Sequence, residues 1–93
     1  MTNNSLNFHL KISGRVQGVG FRVWIKKTAE SLFLTGWVKN CDDNSVECEV
    51  CGKKENIDFF LNVCKKGPIL ANVKNIQKKE ECFKRFKNFS IYY

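Results

Sequence analysis

The sequence predicts an α+β domain, an antiparallel sheet carrying two helices on one face. Short segments alternate apolar and polar residues with a period of two, as half-buried strands do. Between them lie two longer segments whose apolar residues return every three or four positions, as amphipathic helices do. The 93 residues, 43% hydrophobic and 27% charged, suit one domain (1–93) with a single core between two layers.

The first strand is marked by Phe8, Leu10 and Ile12 alternating with His9, Lys11 and Ser13, and it ends at Gly14. After a glycine-rich turn, Phe21, Ile25, Thr28, Ala29 and Leu32 line one face of a helix over about residues 21–33, with Lys26, Lys27 and Glu30 on the other. Residues 35–41, with Trp37 and Val38, form the second strand. Asp42, Asp43 and Asn44 make a turn into a third strand over 45–51, so the pair reads as a hairpin. There Val46, Cys48 and Val50 alternate with Ser45, Glu47 and Glu49, and the latter side is expected to be wet.

The second helix spans 53–66, with Ile57, Phe60, Leu61 and Cys64 inward and Gly67-Pro68 as its stop. A fourth strand covers about 73–79, residues 80–85 read as a loop, and Phe89, Ile91 and Tyr93 mark a short closing strand. Strand, helix, strand, strand, helix, strand is the ferredoxin-like βαββαβ sandwich, with a short extra C-terminal strand. That fold serves many chemistries and selects none of them.

The chemistry is concentrated at Gly14-Arg-Val-Gln-Gly-Val-Gly-Phe-Arg22, where the first strand turns into the first helix. Successive N–H groups of such a turn point into one concavity, and the helix adds its positive end, which together favour an anion such as phosphate. Arg22 falls in the first helical turn, where its planar fork can close over the same oxyanion. The Walker pattern is absent, and Val23 stands where a dinucleotide loop needs its third glycine. Glycines demanded only by turn dihedrals would look the same, so the loop by itself leaves both readings open.

The net charge is +7, yet thirteen of the sixteen basic residues are lysines scattered along the chain. No acidic residue precedes Glu30, whereas Lys11, Arg15, Arg22, Lys26 and Lys27 surround the glycine loop, a field that draws in small anions. No apolar run approaches the roughly 18–20 residues of a membrane span. The N-terminal residues lack the basic start and apolar stretch of a signal peptide. Five cysteines without such a signal argue for free thiols in a reducing, cytoplasmic setting. Cys48 and Cys51, three apart on a strand, face opposite ways and make a poor metal pair.

The glycine loop, followed by Gly36-Trp-Val-Lys-Asn40 and then by Val46 and Gly52, resembles both signatures of the acylphosphatases, in order and at the right separation. The resemblance covers nearly the whole chain. It implies hydrolysis of a carboxyl-phosphate anhydride to a carboxylate and inorganic phosphate, with no metal and no cofactor. It places the phosphoryl group among Arg15, Val16, Gln17, Gly18, Val19, Gly20 and Phe21, with the Arg22 side chain, and it gives Asn40 the task of orienting the attacking water. The implied partners are a small acyl phosphate and inorganic phosphate, with neither nucleic acid nor membrane, for a chain expected to act as a monomer.

Two positions depart from the family pattern: Asn44 stands where a turn glycine is usual, and Tyr92 where many members carry an arginine. The rival reading is an RNA-binding sheet, since the chain is basic and 13% aromatic. The RNA-binding aromatic signature is missing, and the alternation of strands one and three puts no aromatic on the open face.

Overall fold

A computed structural model describes residues 5–82 and 84–93. The elements are β1 (Ser5–Arg15), α1 (Phe21–Ser31), β2 (Thr35–Asn40), β3 (Val46–Lys53), α2 (Lys54–Cys64), β4 (Asn72–Glu81) and β5 (Phe89–Tyr92). They form one five-stranded sheet in the order β4-β1-β3-β2-β5.

Both helices lie on the same face. Leu10 and Ile12 of β1, Val38 of β2 and Val46, Cys48 and Val50 of β3 point to that side and are fully buried. Against them pack Phe21, Ile25 and Ala29 of α1 and Ile57, Phe60, Leu61 and Cys64 of α2. These are the residues that the helical and strand periods select, because each amphipathic element buries its apolar stripe against the other layer.

Pairing of β1 with β3, with β4, and of β2 with β3 is antiparallel, as expected. The closing strand departs from the antiparallel expectation: β5 joins the outer edge of β2 in parallel, Gly36 opposite Phe89 and Val38 opposite Ile91. The reason is that β4 ends at the end of the sheet away from the glycine loop, Glu81 opposite Asn7, and β5 starts from that same end at the other edge, Phe89 opposite Gly36. The fourth strand is also longer than the 73–79 expected from the sequence. Glu80 and Glu81 belong to it, paired with Phe8 and Asn7, while Phe83 lies outside the described residues.

The segment crossing from β4 to β5 overturns the expectation that the Ser45, Glu47 and Glu49 side of the third strand is wet. Asn7 Nδ2 donates to the carbonyl of Cys82 (2.9 Å), Cys51 Sγ to that of Lys84 (3.2 Å), and Lys84 Nζ pairs with Glu49 Oε2 (3.3 Å). Glu49 is only 4% exposed beneath it. That carboxylate also accepts from Asn7 Nδ2 (2.6 Å) and Trp37 Nε1 (3.1 Å), so a buried charge is met by three donors. Cys48 and Cys51 do face opposite sides, Cys48 the core and Cys51 the crossing segment.

α1 ends in a tight reversal in which Leu34 N donates to Ala29 O and Phe33 N to Glu30 O. The residue at the left-handed position, Phe33, has φ 58° and is 87% exposed. A bulky side chain there carries roughly 1–2 kcal/mol of backbone strain that glycine escapes. Phe33→Gly is therefore expected to stabilise the fold by about 0.5–1 kcal/mol, after allowing for the greater unfolded-state freedom of glycine. The urea unfolding midpoint measures this, and a midpoint at or below the wild-type value would contradict it.

Candidate functional site

The sheet topology determines what can meet at the site. β1 runs toward the glycine loop, and antiparallel β3 starts beside its end, Val46 opposite Ile12. The β2–β3 turn therefore projects at the same end as the loop, and Asn40, opposite Val46, is carried there with it.

Only residues 16–20 separate β1 from α1. Val16 and Phe21 are buried and pin the two ends of this loop into the core. Between them Gly18 (φ 72°) and Gly20 (φ 75°) are left-handed. A β-carbon at either would meet nothing within 4 Å, so dihedral geometry rather than space demands glycine there. Gly20 caps α1 without a side chain, and the first turn holds no acidic residue, so side chains leave the orphan N–H groups of the helix open.

Arg22 is half-buried. Its Nη1 donates to the carbonyl of Tyr92 (3.3 Å), and its guanidinium carbon stands 4.9 Å from the centroid of the Tyr93 ring. The C-terminal strand thus restrains this side chain without neutralising it. Asn40 is exposed, and its carboxamide forms no hydrogen bond with the other described residues. A cleft of about 130 Å³ is lined by Val16, Gly18, Gly20, Phe21, Arg22, Val23 and Asn40.

Of the residues singled out from the sequence, Val16, Gly18, Gly20, Phe21, Arg22 and Asn40 come together at this cleft, and Arg15, Gln17 and Val19 do not line it. Arg15 ends β1 opposite Asn72 of β4, and Val19 packs against the core. Gln17 turns its side chain away to the hairpin, where Nε2 donates to the carbonyls of Cys41 and Ser45, both at 2.9 Å. Val23 was missed, since nothing in its type or spacing distinguishes it from other outward helix residues. The basic cluster is also thinner than its sequence suggested, because Lys11 pairs with Asp43 (2.7 Å) and Lys26 with Glu30 (2.6 Å). Among the described residues no group of three or more His, Cys, Asp and Glu is placed to hold a metal ion.

The hairpin beside the cleft is tightly tied. Asn44 takes the left-handed position (φ 73°), and Asp43 Oδ1 accepts from Ser45 N (3.0 Å) and Ser45 Oγ (2.5 Å). Hydrogen bonding from Lys11, and then from Ser45, holds the Asp43 carboxyl well below its usual range. The Cys41 thiol donates to Glu47 Oε1 (3.1 Å), and this contact, with His9 and Lys39 nearby, holds Glu47 low despite its partial burial. Burial, and then the bond to Glu47, push the Cys41 thiol up.

The sequence pattern of the acylphosphatases matches residues 8–91. An acylphosphatase of Alcanivorax borkumensis is 44% identical over 72 residues, 77% of this chain and 78% of the relative. The chain belongs to the acylphosphatase family. The structure of an acylphosphatase from Coxiella burnetii superposes with a TM-score of 0.93 at 37% identity, over 96% of this chain and 94% of that one. Full-length HypF, in a phosphate- and nucleotide-bound form, contains a similar unit: TM-score 0.89, 29% identity, all of this chain but 12% of HypF. As a member of the family the protein is an enzyme, an acylphosphatase that hydrolyses acyl phosphates.

The two departures from the acylphosphatase pattern have structural accounts. Asn44 takes a left-handed conformation, φ 73°, which asparagine tolerates better than most residues. Tyr92 stacks on Trp37, its ring lying 5.6 Å from that of Trp37 at an interplanar angle of 13°. No described helix is long and apolar enough to cross a membrane.

The carboxylates set an acid limit on the fold. For Glu49, burial alone would raise its pKa, but Asn7, Lys84 and Trp37 hold it below its ordinary 4.5 overall. Asp43 and Glu47 are held low as well. A depressed pKa contributes stability that is present above the ordinary value and lost as pH falls through the folded one. The unfolding free energy is therefore expected to be steady near neutrality and to decline below about pH 4.5, less steeply in Glu49→Gln. Urea unfolding at a series of pH values reads this, and an undiminished stability at about pH 3 would refute it.

Proposed function

We propose that the cleft binds the phosphoryl group of a carboxyl-phosphate anhydride, and that water attacks phosphorus there in line with the departing carboxylate. The convergence of Arg22 and Asn40 on one cleft beside Gly18 and Gly20 carries this reading. In it the amides of the 15–21 loop and the Arg22 guanidinium hold the phosphoryl oxygens. The Asn40 carboxamide orients the water, accepting one hydrogen bond from it and donating another.

The bond that forms joins the water oxygen to phosphorus. The bond that breaks joins phosphorus to the acyl oxygen, whose electron pair leaves as carboxylate, and the water's proton passes to solvent or phosphate. A carboxylate is a good leaving group, so positioning and charge stabilisation supply most of what the reaction needs. The amides and Arg22 provide that charge, and the step requires neither metal nor cofactor. The left-handed geometry at Gly18 and Gly20 and anion binding are then one feature, because the left-handed turns are what aim the amides inward. The accompanying proposal is a single-domain monomer in the cytoplasm, where free thiols persist.

Hydrolysis of benzoyl phosphate without added metal tests the assignment. Arg22→Ala and Asn40→Ala are each expected to lower kcat/KM by roughly 10²–10³-fold, the scale of one lost transition-state donor. Arg22→Ala should also weaken competitive inhibition by inorganic phosphate, whereas Asn40→Ala should leave it nearly unchanged. Wild-type turnover in either folded variant would remove that residue from the mechanism.

A further inference from the structure

Nothing on the Asn40 side chain fixes its distance from the glycine loop. It stands at the end of β2, exposed, with no hydrogen bond to the other described residues. Its place over the cleft is set by its backbone, held on one side by the β2–β3 ladder and continued on the other into the turn at Cys41.

Gln17 grips that turn. Its Nε2 carries two hydrogens, and its two acceptors, Cys41 O and Ser45 O, are the carbonyls at either end of the turn. Both contacts span long stretches of sequence, and they are the side-chain hydrogen bonds that tie the glycine loop to the hairpin. Cys41 is the residue next to Asn40. The same two carbonyls have backbone donors as well, Asn44 N on Cys41 O (3.2 Å) and Cys41 N on Ser45 O (2.9 Å). The hairpin can therefore close without Gln17, but its distance from the loop is then no longer fixed by a direct bond.

We infer that Gln17 is a positioning residue, whose carboxamide sets the separation between the phosphate-holding loop and the Asn40 carboxamide. The inference rests on the reading of Asn40 as the group that orients water. It makes the Gln17 side chain more than a spectator whose residue lends an amide to the loop. A displacement of about 1 Å between the held phosphoryl group and its water is enough to cost on the order of 10²-fold in rate, while ground-state binding is little affected.

The test is a double-mutant cycle on benzoyl phosphate hydrolysis, comparing wild type, Gln17→Met, Asn40→Ala and the double variant, with inorganic phosphate as competitive inhibitor. Methionine keeps the length of the side chain and removes both donors. Because both carbonyls retain backbone donors, Gln17→Met is expected to stay folded, with an unchanged circular dichroism spectrum. Its kcat should fall roughly 10- to 100-fold, with KM and the phosphate inhibition constant within about threefold of wild type. In the Asn40→Ala background the same change should have almost no further effect. Wild-type kcat in Gln17→Met would overturn the inference. So would an equal loss in both backgrounds, or a loss accompanied by much weaker phosphate inhibition, since either places the action of Gln17 in the loop itself. Wild-type kcat in Asn40→Ala would overturn the reading of Asn40 and the inference with it, an outcome distinct from the others.

Discussion

The antiparallel pairing of β1 with β3 at the centre of the sheet is the constraint on which the rest of the molecule depends. One side of that pair, Leu10 and Ile12 with Val46, Cys48 and Val50, is the floor on which both helices rest. The direction of the pair sends the end of β1 and the start of β3 to one end of the sheet, which brings the glycine loop and the hairpin turn together. The C-terminal strand then adds to the outer edge of β2 and leaves the carbonyl of Tyr92 and the ring of Tyr93 against Arg22. An arrangement drawn from three distant parts of the chain thus follows from one register.

The charge distribution around the site is shaped by pairing more than by number. Lys11 and Lys26, which belong to the basic cluster in the sequence, are neutralised by Asp43 and Glu30. Arg22 has no acidic partner among the described residues; what holds it is a carbonyl and an aromatic face, contacts that orient a guanidinium without cancelling its charge. The Lys11–Asp43 pair has a second consequence, since Asp43 also caps Ser45 and so stiffens the turn that Gln17 grips.

The elements were legible where a single period ran uninterrupted. The alternation of Phe8, Leu10 and Ile12 and the helical spacing of Ile57, Phe60, Leu61 and Cys64 placed strands and helices, because burial of one face is a local pattern. Glu80 and Glu81 were not legible as strand, since an exposed edge strand such as β4 has no apolar alternation to reveal it. The burial of Glu49 was hidden for another reason. Its sequence neighbours are those of a wet strand face, and what covers it is a segment more than thirty residues later in the chain. The parallel direction of β5 was equally invisible, being a consequence of the end at which the chain leaves β4.

At the site, Gly18, Gly20 and Arg22 could be read directly, because a strand-to-helix turn is local and its glycine and arginine requirements are written at adjacent positions. The two motifs together identified the family and pointed to Asn40. The sequence by itself thus determined the fold class, the family and the glycine-rich turn, since each rests on short-range periodicity or on residues adjacent in the chain. Tertiary structure alone decided that Gln17 faces the hairpin, that Arg22 leans on the C-terminal strand, and that Arg15 and Val19 stand outside the cleft. Those outcomes depend on which strands lie side by side and in what register, and side-chain direction across a sheet is set by that pairing rather than by the residues next in sequence.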